Sequence, residues 1–171
     1  MKYASVITTE CYNGPGWGVT FALQGCPHRC PGCFNPETWD FSGGKEFTPD
    51  ILNEIIQAMA PEYVTRLSIQ GGEPLTQENL FLTCLVCDQV RSKYPNKKIY
   101  IWTGYTYEEL YRDFNSPKME RILDGTYADY LIDGRFIEAE KDTTLFMRGS
   151  KNQRIIELPK NPKEIDITKN L

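Results

Sequence analysis

Histidine is nearly absent from these 171 residues: His28 is the only one. A Ser–His–Asp or Cys–His catalytic arrangement has that residue alone to draw on, and no two acids share a motif suited to paired acid–base work. No stretch approaches the roughly eighteen consecutive apolar residues of a membrane-spanning helix. Met1–Glu10 holds one Lys and no apolar core, so no secretory signal is visible. Neither sign of charge dominates: 19 Lys and Arg stand against 23 Asp and Glu, a net charge of −4. Sequence-wide binding to nucleic acid or an anionic membrane is therefore not expected, and no basic stripe carries interleaved aromatics. Internal repeats and low-complexity segments are also missing. The glycine-rich stretch Asn13–Gly18 is not followed by Gly-Lys-Ser/Thr, which excludes a nucleotide P-loop.

What is present suits one domain. At 40% hydrophobic residues the chain can bury a core, and long disorder is excluded. Strand-like runs and helix-like runs alternate. Tyr3–Thr9, Val19–Leu23, Arg66–Gln70, Lys98–Thr103, Tyr130–Asp133 and Arg154–Leu158 read as strands. Thr48-Pro49-Asp50 opens a helix whose stripe is Leu52, Ile55, Ile56 and Met59. Thr76 opens a long helix to about Tyr94. Thr106 to Glu109 fits a capping box, and Ser116-Pro117 starts a helix that Gly125 ends. From about 159 the chain is polar and reads as a tail. Such alternation predicts an α/β fold with a mostly parallel sheet of roughly five strands, too few for an eight-fold barrel, so a partial, open (βα) barrel.

Six cysteines need an explanation: Cys11, Cys26, Cys30, Cys33, Cys84 and Cys87. A disulfide framework conflicts with the chain's size and with the reducing cytoplasm its composition suggests. A four-thiolate zinc site could use Cys30, Cys33, Cys84 and Cys87 and would make the chain an interaction module. However, Cys84 and Cys87 share a helical stripe with Leu80, Val90 and Tyr94, where cysteine is usually a small core residue. Unrelated thiols would not pack three cysteines among Gly and Pro in Cys26-Pro-His-Arg-Cys30-Pro-Gly-Cys33. The remaining reading is an iron–sulfur cluster. Three thiolates leave one iron of a four-iron cube without a protein ligand, open to a small molecule.

The C-x3-C-x2-C spacing resembles the cluster-binding loop of radical S-adenosylmethionine enzymes. The surrounding residues are more specific: Asn13-Gly14-Pro15-Gly16, Val19-Thr20-Phe21, Gln24-Gly25-Cys26, Cys33-Phe34-Asn35-Pro36 and Thr38-Trp39-Asp40. They are similar to those of the glycyl-radical-enzyme activases. Two positions depart from the pattern: Gly32 stands where many radical enzymes have an aromatic, and Gly18 where activases often have Arg. Gly32, the short chain and Arg148-Gly149-Ser150 with Asn152-Gln153-Arg154 resemble the small activases of anaerobic ribonucleotide reductase more than those of pyruvate formate-lyase.

The resemblance implies a [4Fe–4S] cluster on Cys26, Cys30 and Cys33, with S-adenosyl-L-methionine bound at the open iron. Gly71-Gly72-Glu73-Pro74 resembles the family's GGEP motif, which implies contact with the methionine amino group. Gly32, Cys33 and Phe34 end the cluster loop, and the backbone there would meet the adenine. Thr103 and Asp133, at strand ends, could accept from ribose hydroxyls; the alternative for Asp133 is a turn residue before Gly134, and for Phe34 a core position. Asn35 could donate to the ligand or cap the next turn. His28 is not expected to bind iron. The implied reaction is one-electron cleavage of S-adenosylmethionine to a 5′-deoxyadenosyl radical, which takes hydrogen from a backbone glycine of a glycyl radical enzyme. The implied partners are the large subunit of an anaerobic ribonucleotide reductase and a flavodoxin- or ferredoxin-type electron donor. All candidate motifs fall just after predicted strands, where sites of parallel α/β folds gather.

Overall fold

The computed structural model describes residues 1–159; the polar tail expected from about 159 lies almost wholly outside the described residues. Seven strands form one sheet: β1 (Lys2–Glu10), β2 (Trp17–Leu23), β3 (Lys45–Glu46), β4 (Val64–Gln70), β5 (Lys98–Trp102), β6 (Tyr130–Asp133) and β7 (Arg154–Glu157). Their order is β3-β1-β2-β4-β5-β6-β7, and the two edges do not meet, so the sheet is open. Among the described residues four α-helices accompany it: α1 (Pro49–Ala58), α2 (Gln77–Lys93), α3 (Tyr107–Asp113) and α4 (Pro117–Leu123).

The sheet is mixed. β2, β4, β5 and β6 run parallel, while β1, β3 and β7 are antiparallel to their neighbours. The alternation of strands and helices predicts about five parallel strands. The difference follows from the connections. A parallel pair needs a long crossover, and the loop between β1 and β2 is too short for one. Between β6 and β7 the chain makes only a short 3-10 turn, Glu138–Glu140, and returns antiparallel.

Helix starts follow the local chemistry. The Thr76 side chain accepts from the Asn79 amide, and Ser116 accepts from Met119. Thr106 and Glu109 form the expected capping box. Thr48 makes no side-chain cap; Pro49 at the first position supplies the start of α1 instead. Gly125, at φ +81°, follows α4 as predicted.

Alternation along the strands separates two faces. Val19, Phe21, Leu23, Leu67, Ile69, Ile99, Ile101 and Leu131 share one core with Ile55, Met59, Leu82, Val86, Val90 and Ile122 of the helices. Cys84 and Cys87 belong to that core. Burial pushes the Cys84 thiol up to about 11 and that of Cys87 well above its usual value. The stripe reading of these two cysteines therefore holds, and neither lies near Cys30 or Cys33 in the site described below.

The other face carries Thr20, Ala22, Arg66, Ser68, Gln70, Tyr100 and Trp102. Toward the amino ends of the parallel strands it is closed by Arg66, whose side chain is 1% exposed. Its Nη1 donates to Glu10 Oε1 (2.7 Å) and to Ser68 Oγ, and its Nε donates to Pro15 O (3.1 Å). Glu10 also accepts from Thr20 Oγ1 and from the amides of Tyr12 and Asn13. These bonds fold the 11–16 loop over β4. A side chain at Gly18 would collide with the Arg66 guanidinium, which accounts for glycine there. Among the described residues no helix is long and apolar enough to cross a membrane.

Burial raises the Glu10 pKa, but the bonds from Arg66, Asn13, Thr20 and Tyr12 outweigh it and hold the carboxyl below its usual 4.5. Its stabilising contribution is full above pH 4.5 and is lost as pH falls through the lowered folded-state value. Removing the carboxylate leaves a buried guanidinium without its counter-charge. Glu10→Ala is expected to lower unfolding free energy by about 3–5 kcal/mol. In urea titrations, Glu10→Gln is expected to lose this acid-dependent component while the parent chain shows it.

Candidate functional site

The carboxyl ends of β2, β4 and β5 open into a cleft of about 780 Å³. Cys26, Cys30, Cys33, Phe34, Gly71, Gly72, Glu73 and Thr103 all line it. Gly32, Pro74 and Asp133 do not; Asp133 lines an adjoining pocket of about 580 Å³ that shares Cys30.

The cysteine loop is shaped by its own backbone. Gly25 N donates to Thr38 O (2.8 Å), Cys26 N to Trp39 O (3.1 Å), and Cys33 N to Cys30 O (3.1 Å). Gln24 Nε2 reaches the carbonyls of Glu37 and Asp40, tying the two ends of the loop together. The loop then docks on the Gly71–Pro74 turn: Glu73 N donates to Gly25 O (2.8 Å) and Gly72 N to Thr38 Oγ1 (2.9 Å). Gly72 sits at φ +41°, and a Cβ there would lie 2.7 Å from Gly25 O. Glycine is required here by contact with the cysteine loop itself, a cause the sequence alone did not reveal.

Glu73 is 1% exposed. Its Oε1 accepts from Thr103 Oγ1 (2.7 Å) and Leu75 N (3.0 Å). Its Oε2 accepts from Gly104 N (2.6 Å) and His28 Nε2 (2.9 Å). Two donors on each oxygen fill the acceptor sites of a carboxylate. Thr103, 4% exposed, is thereby committed to Glu73 and also accepts from Tyr105 N. Asp133, 1% exposed, is likewise engaged: Arg154 grips both oxygens and Tyr107 N donates to Oδ2. Each side chain thus acts on a protein partner in this arrangement.

Phe34 is not a core residue. It is 67% exposed, with the Phe136 ring 6.1 Å away and the Lys141 ammonium 5.3 Å from its centroid. Asn35 precedes the turn Pro36–Thr38 but makes no side-chain cap there; it lines the cleft. Within the 148–154 signature, Gln153 Oε1 accepts from the amides of Gly149 and Ser150, and its Nε2 donates to Gly134 O. Asn152 Nδ2 donates to Arg135 O. These polar groups lock the returning loop to β6 and leave Arg148 on the cleft wall. His28, read from the sequence as a loop or supporting group and not an iron ligand, meets Glu73 and Arg135 across the fold, and Gly104 N meets Glu73; the sequence does not reveal these pairings.

Each of the three cleft thiols has a backbone N–H directed at it: His28 and Arg29 toward Cys26, Phe136 toward Cys30, and Asn35 toward Cys33 at 3.4 Å. Burial pushes the Cys26 thiol up to about 11 and raises that of Cys30. Loading with metal would release those protons, and the N–H groups would then stabilise the thiolates. Among the described residues, no three Cys, His, Asp or Glu side chains converge as a single ion requires. The three thiols line one cleft, and thiolates are the donors that iron–sulfur clusters use.

Burial orders the thiols by reactivity. In the metal-free chain at pH 8, mass-mapped alkylation with iodoacetamide is expected to label Cys33 well before Cys26, with Cys87 slowest. Glu73→Gln would turn an amide toward donors that need an acceptor. It is expected to lower unfolding free energy by about 1–3 kcal/mol, read by urea denaturation.

Residues 12–156 match the family model described as a 4Fe-4S single cluster domain. The anaerobic ribonucleoside-triphosphate reductase-activating protein of Vibrio cholerae is 36% identical over 157 residues, covering 91% of this chain and 97% of that protein. The protein of the same name from Escherichia coli K12 is 35% identical over 155 residues, covering 90% and 96%. The phage T4 protein of that name is 32% identical, covering 91% and 93%. A cleft lined by the three clustered thiols, joined to identity that runs nearly end to end, places this chain in the 4Fe-4S single cluster domain family, among the anaerobic ribonucleoside-triphosphate reductase-activating proteins.

Proposed function

We propose that this chain activates an anaerobic ribonucleoside-triphosphate reductase by generating a glycyl radical on its large subunit, as a cytoplasmic radical S-adenosylmethionine enzyme. The observation that carries this is the meeting of Cys26, Cys30 and Cys33 with the Gly71–Pro74 turn on one cleft. The open sheet is then a partial (βα) barrel whose unclosed side admits a protein loop.

Cys26, Cys30 and Cys33 would hold three irons of a [4Fe–4S] cluster and leave the fourth open. Held there, such a cluster would supply the one electron that cleaves the sulfonium of S-adenosylmethionine to methionine and a 5′-deoxyadenosyl group, which would take hydrogen from a glycine of the partner. The chain's own groups bind and orient. The Gly71–Pro74 turn offers backbone beside the thiols for the methionine amino group. Glu73 holds that turn in place through its four donors. Phe34, exposed on the cleft wall, offers a face for the adenine. Thr103 and Asp133 act from behind, Thr103 on Glu73 and Asp133 on Arg154. A flavodoxin- or ferredoxin-type protein would supply the electron.

The rival partner, pyruvate formate-lyase, is disfavoured by the names of the relatives, and the zinc module by the burial of Cys84 and Cys87 in the helix-side core. The test is anaerobic: reconstitute iron and sulfide, add reductant, S-adenosylmethionine and each glycyl radical enzyme in turn, then record 5′-deoxyadenosine and the glycyl radical by electron paramagnetic resonance. Radical on the reductase alone, abolished by Cys30→Ala, is expected. Radical on pyruvate formate-lyase alone, or a colourless zinc protein, would overturn the proposal.

A further inference from the structure

We infer that His28 is a positioning residue that clamps the cysteine loop to the ligand turn through Glu73. The inference rests on the functional reading above for its consequence, but not for its geometry.

The ring lies between Cys26 and Cys30 in sequence, yet its side chain is only 5% exposed. Its Nε2 lies 2.9 Å from Glu73 Oε2, and its Nδ1 lies 3.2 Å from Arg135 Nε. A guanidinium can only donate and a carboxylate can only accept. Nδ1 is therefore the acceptor and Nε2 carries the hydrogen, so neither nitrogen has a lone pair left for iron. Tyr105 packs edge-on at 4.5 Å. Any side chain at Gly104 would collide with the ring.

Four segments meet on this one imidazole: the cysteine loop after β2, Glu73 after β4, Gly104-Tyr105 after β5, and Arg135 after β6. Arg135 in turn pairs with Glu109, the capping-box carboxylate of α3. Of the four donors on Glu73, Leu75 belongs to the turn after β4, and Thr103 and Gly104 to the end of β5. His28 alone comes from the cysteine loop. With the Glu73 N–Gly25 O and Gly72 N–Thr38 Oγ1 bonds at the two ends of the loop, it fixes the separation between the thiols and the Gly71–Pro74 turn from within the loop, and that separation decides whether a ligand on the open iron also reaches the turn.

A carboxamide carries one donor and one acceptor side by side, as this tautomer does, so His28→Gln can replace the clamp and His28→Ala cannot. Asp129→Asn is the control; Asp129 pairs with Arg91 and Lys98 and lies outside the cleft lining. Hydrogen exchange is followed in each full-length variant before and after cluster reconstitution. His28→Ala is expected to exchange about tenfold faster at 71–75 and 103–105, with His28→Gln near the parent and Asp129→Asn unchanged there. In the loaded protein, His28→Ala is expected to retain its iron and raise the KM for S-adenosylmethionine about tenfold, with His28→Gln restoring it. Parent-like exchange in His28→Ala, no rescue by Gln, or the same opening in Asp129→Asn would overturn the inference. If the parent assembles no cluster, the functional reading fails while the exchange measurement still decides the clamp.

Discussion

A buried carboxylate organises the working end of this protein. Glu73 is almost free of solvent contact, and an isolated charge in that position would be strongly disfavoured. It is tolerated because Leu75, Thr103, Gly104 and His28 each donate to it. Those donors come from the turn after β4, the end of β5 and the cysteine loop. Satisfying one carboxylate thus fixes three segments against one another. The cleft wall where thiols and glycine turn meet is a consequence of that requirement.

A second buried charge works at the opposite end of the same face. Arg66 and Glu10 pair beneath the 11–16 loop and draw in Thr20, Ser68 and the Pro15 carbonyl. Their network closes the floor near the strand starts, and the Glu73 network shapes the mouth at the strand ends. Beside them the same face carries Ala22 and a small apolar cluster of Tyr100, Ile132 and Ile155 with Trp102 and Met147, while the helix-side face is filled with aliphatics. Two polar clusters and one small apolar cluster on this face, with loops and no helix layer over it, leave room for the cleft, while the continuous apolar core fills the other face.

Features governed by local chemistry were legible in the sequence. The caps at Thr76, Ser116 and Thr106 act within three residues, and each is present. The helical period placed Cys84 and Cys87 in the core. The placement of motifs after strands brought the cysteine loop and the Gly71–Pro74 turn to one cleft. What could not be read was pairing across the fold. Asp133 reads as a strand-end acid or a turn residue, and its pairing with Arg154 has no local signal. Thr103 reads as a candidate for a ribose, and nothing local shows that its hydroxyl donates to Glu73. His28 shows no period or motif that points to Glu73. The antiparallel flanks escaped because hydrophobic alternation does not encode strand direction.

The central claim is a cluster held by three thiolates with one iron open to S-adenosylmethionine. Mössbauer spectroscopy of the chain reconstituted with ⁵⁷Fe tests it most directly. The account predicts a four-iron cluster in which S-adenosylmethionine shifts the signal of one iron and leaves the other three unchanged. A cluster indifferent to S-adenosylmethionine, or one retained in full after Cys26→Ala, Cys30→Ala or Cys33→Ala, would contradict it.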